Sequence, residues 1–135
     1  MIQFVKKGIP LPLGAINNKR SLLGLGNFAD LICRCVEQEA AKGETFVVSD
    51  GCDVSTADLV RKISVALKKK SRVVSISPGL LRLLGRVSGK QEMIKRLTES
   101  LVIDSSKVRR TLNWEPLYSM EDELLRTAEW HYDSH

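Results

Sequence analysis

The sequence contains few cysteines and no long apolar run, which already excludes several classes of protein. Cysteine occurs at three positions, Cys33, Cys35 and Cys52, an odd number without the paired spacing of a zinc site. We therefore expect reduced thiols and no metal centre. No stretch approaches the roughly 18 apolar residues of a membrane span, and the first residues lack the charged-then-apolar order of a signal peptide. These absences predict a cytoplasmic protein.

The chain also lacks the signatures of a complete active site. It contains no GxxGxxG, GxGxxG or P-loop motif, and the short cluster Gly24-Leu25-Gly26 has no third glycine. Neither Tyr118 nor Tyr132 begins a Tyr-x-x-x-Lys pair, and both histidines lie in the last five residues. We therefore assign no catalytic residue and no cofactor-binding residue in this chain.

The composition is that of one globular domain. The chain has 135 residues, of which 43% are hydrophobic and 27% are charged, and this is enough for a single core. The formal net charge of +5 favours anionic partners without naming one. Aromatic residues make up only 5%, and the basic residues look scattered, so a nucleic-acid interface is disfavoured.

The spacing of apolar residues predicts helices that alternate with short strands. A helix is expected from Phe28 to Ala40, with Asn27 as its N-cap. Further helices are expected to begin after Ser55 and at Ser77-Pro78. Short apolar runs predict strands at residues 45–49, 72–76 and 101–103. This alternation is typical of an α/β fold.

Local signals also predict the elements near both ends of the chain. Residues 4–8 look like the last turn of a helix that Gly8 ends, so the chain is expected to be a piece of a longer one. A short helix is expected over residues 92–97. Asp104 is expected to cap a helix that ends near Trp114, and Ser119 to begin the final helix.

Two groups of basic residues are candidates for binding an anion. Arg20 precedes an apolar segment, where its planar guanidinium can bind a phosphate through two hydrogen bonds. Lys95 and Arg96 form a second pair ahead of residues 101–103. From the residues alone, a solvated surface is the commoner explanation for each group, and anion binding stays open as the alternative.

Three motifs resemble the extended short-chain dehydrogenases/reductases that act on nucleotide sugars. They are the segment RSLLGLGNFAD from Arg20, the strand, turn and helix pattern of residues 45–59, and the run from Asp104-x-Ser106-Lys107 to Trp114-x-Pro116. The motifs follow the order and approximate spacing of the family and together span nearly the whole chain. Within the family, the resemblance is closest to UDP-sugar 4-epimerases and the related 4-keto-sugar reductases and dehydratases.

The resemblance implies a C-terminal substrate-binding portion that lacks the main Rossmann domain. Residues 1–135 would form a single domain fragment, and residues from about 26 to 67 would add the last strand and helix of the missing cofactor-binding sheet. The missing N-terminal part would bind NAD and carry the Tyr-x-x-x-Lys pair, so this chain alone is expected to be inactive. Its expected partners are a UDP-sugar, that N-terminal part and, in a homodimer, a second copy.

The resemblance also implies which residues bind the substrate. Arg20 and Arg96 match the two arginines that bind the nucleotide diphosphate, with Lys95 as the alternative to Arg96. Leu11 and Leu13 fall in the extended segment beside the uracil ring. The expected function is UDP-sugar binding in an NAD-dependent 4-epimerase of galactose or surface-polysaccharide metabolism. The alternatives are a reductase or dehydratase of the same family and a stand-alone basic α/β interaction module.

Overall fold

The computed structural model describes residues 1–89 and 91–133, in which α-helices are joined by extended segments. The helices are α1 (Ile2–Lys6), α2 (Leu25–Glu37), α3 (Thr56–Ala66), α4 (Pro78–Val87), α5 (Gln91–Thr98), α6 (Ser106–Leu112) and α7 (Met120–Asp133). A turn of 3-10 helix, Glu39–Ala41, follows α2. No helix within these residues is long and apolar enough to cross a membrane.

Two helix starts form the serine caps that the sequence predicts. The Oγ of Ser55 accepts a hydrogen bond from the backbone N–H of Asp58 at 3.0 Å before α3. The Oγ of Ser119 accepts from the N–H of Asp122 at 3.2 Å, and the Asp122 carboxylate accepts from the N–H of Ser119 at 3.1 Å. Hydrogen bonds from the two serines lower the pKa of Asp58 and of Asp122, because they stabilise the charged carboxylates.

Other predicted helix boundaries are also confirmed. Gly8 follows α1 with a φ of 65°, a conformation that glycine adopts without steric cost. Ser77 is the N-cap of α4, with Pro78 in its first turn. The Asp104 carboxylate accepts from the N–H of Ser106 at 2.8 Å, although the N-cap of α6 is Ser105, one residue later than predicted. These boundaries are predictable because each depends on residues only a few positions apart.

The prediction of Asn27 as an N-cap is wrong. Helix α2 begins at Leu25 after Gly24, and Asn27 lies inside its first turn, fully buried. The Nδ2 of Asn27 donates to the Asp50 carboxylate and to the Tyr118 carbonyl, both at 2.9 Å, while its Oδ1 accepts from the N–H of Tyr118 at 2.9 Å. The amide of Asn27 therefore joins three distant segments instead of capping its own helix.

The predicted alternation of strands and helices is not confirmed. In the described part of the chain, strand-like pairing is limited to isolated bridges that join Leu11 with Val73 and Arg20 with both Val54 and Leu101. Residues 45–49 and 72–76 run without a ladder of paired residues. A strand is stable only where neighbouring segments supply its backbone partners over several residues. The sequence predicted short strands, but it could not show that these segments lack a continuous ladder of partners.

Two hydrophobic clusters form the core. The first surrounds α3, which packs against α1 and α7, and its buried members are Val5, Leu13, Ile16, Val60, Ile63, Leu67, Leu81 and Ala128. The second contains Leu31, Val108, Leu112 and Trp114, and it confirms that the helix after Asp104 packs toward the interior. The segment that carries Arg20 leads from the first cluster to α2 and the second.

Candidate diphosphate site

Arg20 lies where three extended segments meet. Its N–H donates to the Val54 carbonyl, and its own carbonyl accepts from the Val54 N–H, both at 3.0 Å. On the other side, the N–H of Leu101 donates to the Lys19 carbonyl, and the N–H of Ser21 donates to the Leu101 carbonyl, both at 2.8 Å. This pairing on both sides holds the backbone of Arg20 in place, so its side chain extends from a fixed point.

The side chain of Arg20 reaches the last turn of α5. Its Nη1 donates to the backbone carbonyl of Arg96 at 2.5 Å, although the two residues are 76 positions apart. Arg96 is exposed, and within residues 1–89 and 91–133 neither guanidinium forms an ion pair with a carboxylate. Two uncompensated guanidinium groups on neighbouring backbones can bind a diphosphate, since each presents a planar set of donors.

Asn18, which is not among the site residues predicted from the sequence, holds the end of α5 beside Arg20. Its buried Nδ2 donates to the carbonyls of Leu97, at 3.3 Å, and Glu99, at 2.8 Å. Its Oδ1 accepts from the N–H of Thr56 at 2.8 Å, and the Thr56 Oγ1 donates to the Leu97 carbonyl at 2.9 Å. At the end of α5 and the start of α3, backbone carbonyl and N–H groups lack hydrogen-bond partners within their own helix. Asn18 supplies partners for both. Nothing in the local sequence signals these contacts, because all of them are long-range.

We expect Asn18→Ala to lower the free energy of unfolding by about 2 kcal/mol, because it leaves buried backbone groups without partners. Urea denaturation followed by circular dichroism measures the change. Asn17→Ala is the matched control, since Asn17 is the neighbouring asparagine and is exposed; its effect should stay within about 0.5 kcal/mol. Equal stability of the two variants would contradict the role of Asn18.

Leu11 and Leu13 lie on the segment that runs beside residues 72–74. The N–H of Leu11 donates to the Arg72 carbonyl, and its carbonyl accepts from the Val74 N–H, both at 2.9 Å. Leu13 is buried in the first cluster. In the described residues, no hydrogen bond joins either leucine to Arg20 or Arg96. The structure thus brings the Arg20 side chain to the backbone of Arg96, while the leucines belong to a neighbouring segment whose backbone is already paired.

Lys95 lines a different part of the surface from the Arg20 contact. Together with Arg82 and Arg86 of α4, it lines a cleft of about 600 Å³ between α4 and α5. Its Nζ lies 4.0 Å from the Glu99 carboxylate, so its charge is partly compensated. Of the two residues that the sequence offered, Arg96 is the one whose backbone meets Arg20.

The start of α2 does not fit the pyrophosphate of a dinucleotide. The N–H of Gly24 donates to the Asp50 carboxylate at 2.9 Å, and the N–H of Gly26 donates to the Glu123 carboxylate at 3.1 Å. The N–H groups that would bind a phosphate are therefore already hydrogen-bonded to two carboxylates, and these negative charges would repel the phosphate. A Cβ on Gly24 would lie 2.4 Å from the Glu123 side chain, so this glycine makes room for a carboxylate. Within residues 1–89 and 91–133, no three or more histidine, cysteine, aspartate or glutamate side chains are grouped so that they could hold a metal ion.

The amino-acid sequence is similar to that of a known protein. The chain is 39% identical over 130 residues to the UDP-glucose 4-epimerase of Vibrio cholerae, and the match covers 96% of this chain. The chain belongs to the extended short-chain dehydrogenase/reductase family. It spans about 40% of the length of that relative. No family model matches the chain.

A solved structure shows the same fold. The dTDP-glucose 4,6-dehydratase of Bacillus anthracis, in complex with NAD, superposes with a TM-score of 0.66 at 17% identity. The superposition covers 99% of this chain and 38% of the dehydratase. The fold is therefore that of one part of an extended short-chain dehydrogenase/reductase, and both similar proteins are enzymes that act on nucleotide sugars.

Proposed function

We propose that this chain is the substrate-binding portion of an NAD-dependent UDP-sugar 4-epimerase in the cytoplasm. Arg20 and Arg96 bind the diphosphate, and the segment that contains Leu11 and Leu13 lies beside the uracil ring. The observation that carries the proposal is the contact between Arg20 and the backbone of Arg96, in a chain 39% identical to a UDP-glucose 4-epimerase.

The arrangement suits an epimerase for a physical reason. A diphosphate bound by two guanidinium groups on a fixed backbone has little freedom to move, whereas the sugar beyond it can still turn. An enzyme that removes a hydride from one face of a sugar and returns it to the other face needs this combination. The hydride carrier is NAD, which the cofactor-binding part would supply.

The proposed division between two parts of a longer polypeptide explains two features of the surface. The start of α2 is occupied by carboxylates, which disfavours this helix start as the place that holds the pyrophosphate of NAD. Phe28, Ile32 and Val36 recur every four residues along α2, and their exposed fractions are 44%, 47% and 82%. Such an apolar stripe is typical of a face that packs against another unit. We assign residues from about 26 to 67 to contact with the N-terminal Rossmann part.

A calorimetric titration of the 135-residue chain tests the proposal. UDP and UDP-glucose should bind with similar affinity, because the contacts are made to the uracil and the diphosphate. Uridine should bind at least about ten-fold more weakly, since it lacks the charged hydrogen bonds. The absence of saturable UDP binding at millimolar concentration would contradict the proposal.

Two further readouts define the substrate class. A clear preference for dTDP-glucose over UDP-glucose would favour the dehydratase or reductase alternative. Interconversion of UDP-glucose and UDP-galactose by the chain alone, with NAD added, would contradict the division of labour between two parts.

A further inference from the structure

The net charge of +5 conceals an uneven distribution of charge along the chain. From Leu59 to Gln91 the sequence contains nine lysines and arginines and no aspartate or glutamate. The remainder of the chain carries twelve basic and sixteen acidic residues, so its net charge is negative. The basic character of this protein therefore belongs to one segment.

The fold brings part of that segment against a second basic stretch. A groove of about 310 Å³ is lined by Val5, Gly8 and five cations, namely Lys6, Lys7, Lys69, Lys70 and Arg72. We call these five residues the basic groove. The Nη1 of Arg72 donates to the Gly8 carbonyl at 3.3 Å and so joins the two stretches, which are 64 positions apart at this contact. Among the described residues, no aspartate or glutamate lines the groove.

Helix ends account for only a little of this clustering. Lys6 lies in the last turn of α1, where a cation interacts favourably with the helix dipole. The other cations of the groove lie beyond the ends of α1 and α3, and five like charges around one depression repel one another. A surface of this kind is stabilised when an anion binds to it.

Exposed apolar side chains lie next to the basic groove. Phe4 and Ile9 are 52% and 41% exposed, and the N–H of Ile9 donates to the Phe4 carbonyl at 3.1 Å, so the two residues are adjacent. Tyr132 is 46% exposed, and its ring lies 5.5 Å from the Nζ of Lys6. Cations beside exposed aliphatic and aromatic side chains are typical of surfaces that lie at the interface of an anionic membrane.

We propose that the basic groove binds the surface of an anionic lipid bilayer. The five cations contact lipid phosphates, while Phe4 and Ile9 enter the boundary between headgroups and acyl chains. Four of the five cations are lysines, which act as point charges and suit headgroups that move independently. A nucleic-acid strand would instead favour arginine, and only one of these five cations is an arginine.

Sedimentation of the full chain with large vesicles tests this proposal. Vesicles of phosphatidylcholine with phosphatidylglycerol should bind the protein at low salt and release it at high salt, whereas phosphatidylcholine alone should not bind it. The double variant Lys69→Glu/Lys70→Glu should weaken the partition at least about ten-fold, because each cation near an anionic surface contributes about five-fold. Phe4→Ser should weaken it a few-fold without changing the salt dependence.

The matched control is Arg34→Glu/Lys42→Glu, which makes the same change in net charge on α2 and the turn after it. Circular dichroism of both double variants verifies that they fold. The control should retain vesicle binding. Equal loss in both double variants, or equal binding to vesicles without phosphatidylglycerol, would overturn the proposal. Binding of a single-stranded oligonucleotide or of inorganic triphosphate without any binding to vesicles would overturn it as well and assign the groove to a dissolved polyanion.

Discussion

Replacement of Arg20 by alanine should weaken the binding of UDP-glucose to this chain by about 1.5 to 3 kcal/mol, which is about ten-fold to a hundred-fold in Kd. The expected loss is large because the side chain would donate charged hydrogen bonds to the diphosphate. Its backbone pairing with Val54 and Leu101 involves no side-chain atom, so the variant should keep its fold. Isothermal titration calorimetry measures the change, and urea denaturation verifies the stability.

Two further variants make the Arg20 experiment specific. Arg20→Lys keeps the charge but loses the planar pair of donors, so its affinity should lie between those of the parent protein and the alanine variant. Arg34→Ala removes an exposed arginine from α2 and should leave the affinity unchanged. An unchanged Kd for Arg20→Ala would remove Arg20 from the proposed site.

Replacement of Trp114 by alanine should lower the free energy of unfolding by about 3 to 5 kcal/mol. Trp114 is 1% exposed and is the largest side chain of the second cluster, where it packs with Leu31, Val108 and Leu112. Its removal leaves a cavity and also frees the Asp30 carboxylate, which accepts a hydrogen bond from the Trp114 Nε1 at 2.8 Å. Chemical denaturation gives the value directly, and a loss of this size is a large part of the stability of a small domain.

The second tryptophan provides a matched control for this measurement. Trp130 is 67% exposed on α7, so Trp130→Ala should change the free energy of unfolding by less than about 0.5 kcal/mol. Trp114→Phe keeps most of the apolar volume but loses the hydrogen bond to Asp30. Its loss in the free energy of unfolding should therefore lie between the losses of the two alanine variants. Similar losses for the two alanine variants would contradict the core position of Trp114.

Several elements of the fold were predictable because the responsible contacts are short-range. The caps at Ser55 and Ser119 join atoms three residues apart, and the turn at Gly8 depends on one backbone angle. The packing of Trp114 also follows from the spacing of apolar residues along α6. In each case the sequence supplies both partners within one or two helical turns.

The predictions that are wrong concern features that depend on long-range contacts. Asn27 has the composition of an N-cap, but its amide bonds to Asp50 and Tyr118, which the local sequence cannot place beside it. Residues 45–49 have the composition of a strand, yet a ladder requires a second segment, and the described part of the chain offers them none. Propensity decides whether a backbone is extended, whereas pairing is decided by what lies next to it.

The sequence by itself determined most of the helices, the caps at Ser55 and Ser119, the family motifs and the two arginines that could meet a phosphate. Only the tertiary structure decided that Arg20 reaches the backbone of Arg96, that Asn18 holds α5 beside it, and that carboxylates occupy the start of α2. It also decided that two basic stretches share one groove. The physical reason is the same in each case: these contacts join residues more than 20 positions apart, and such distances are closed by packing of the core.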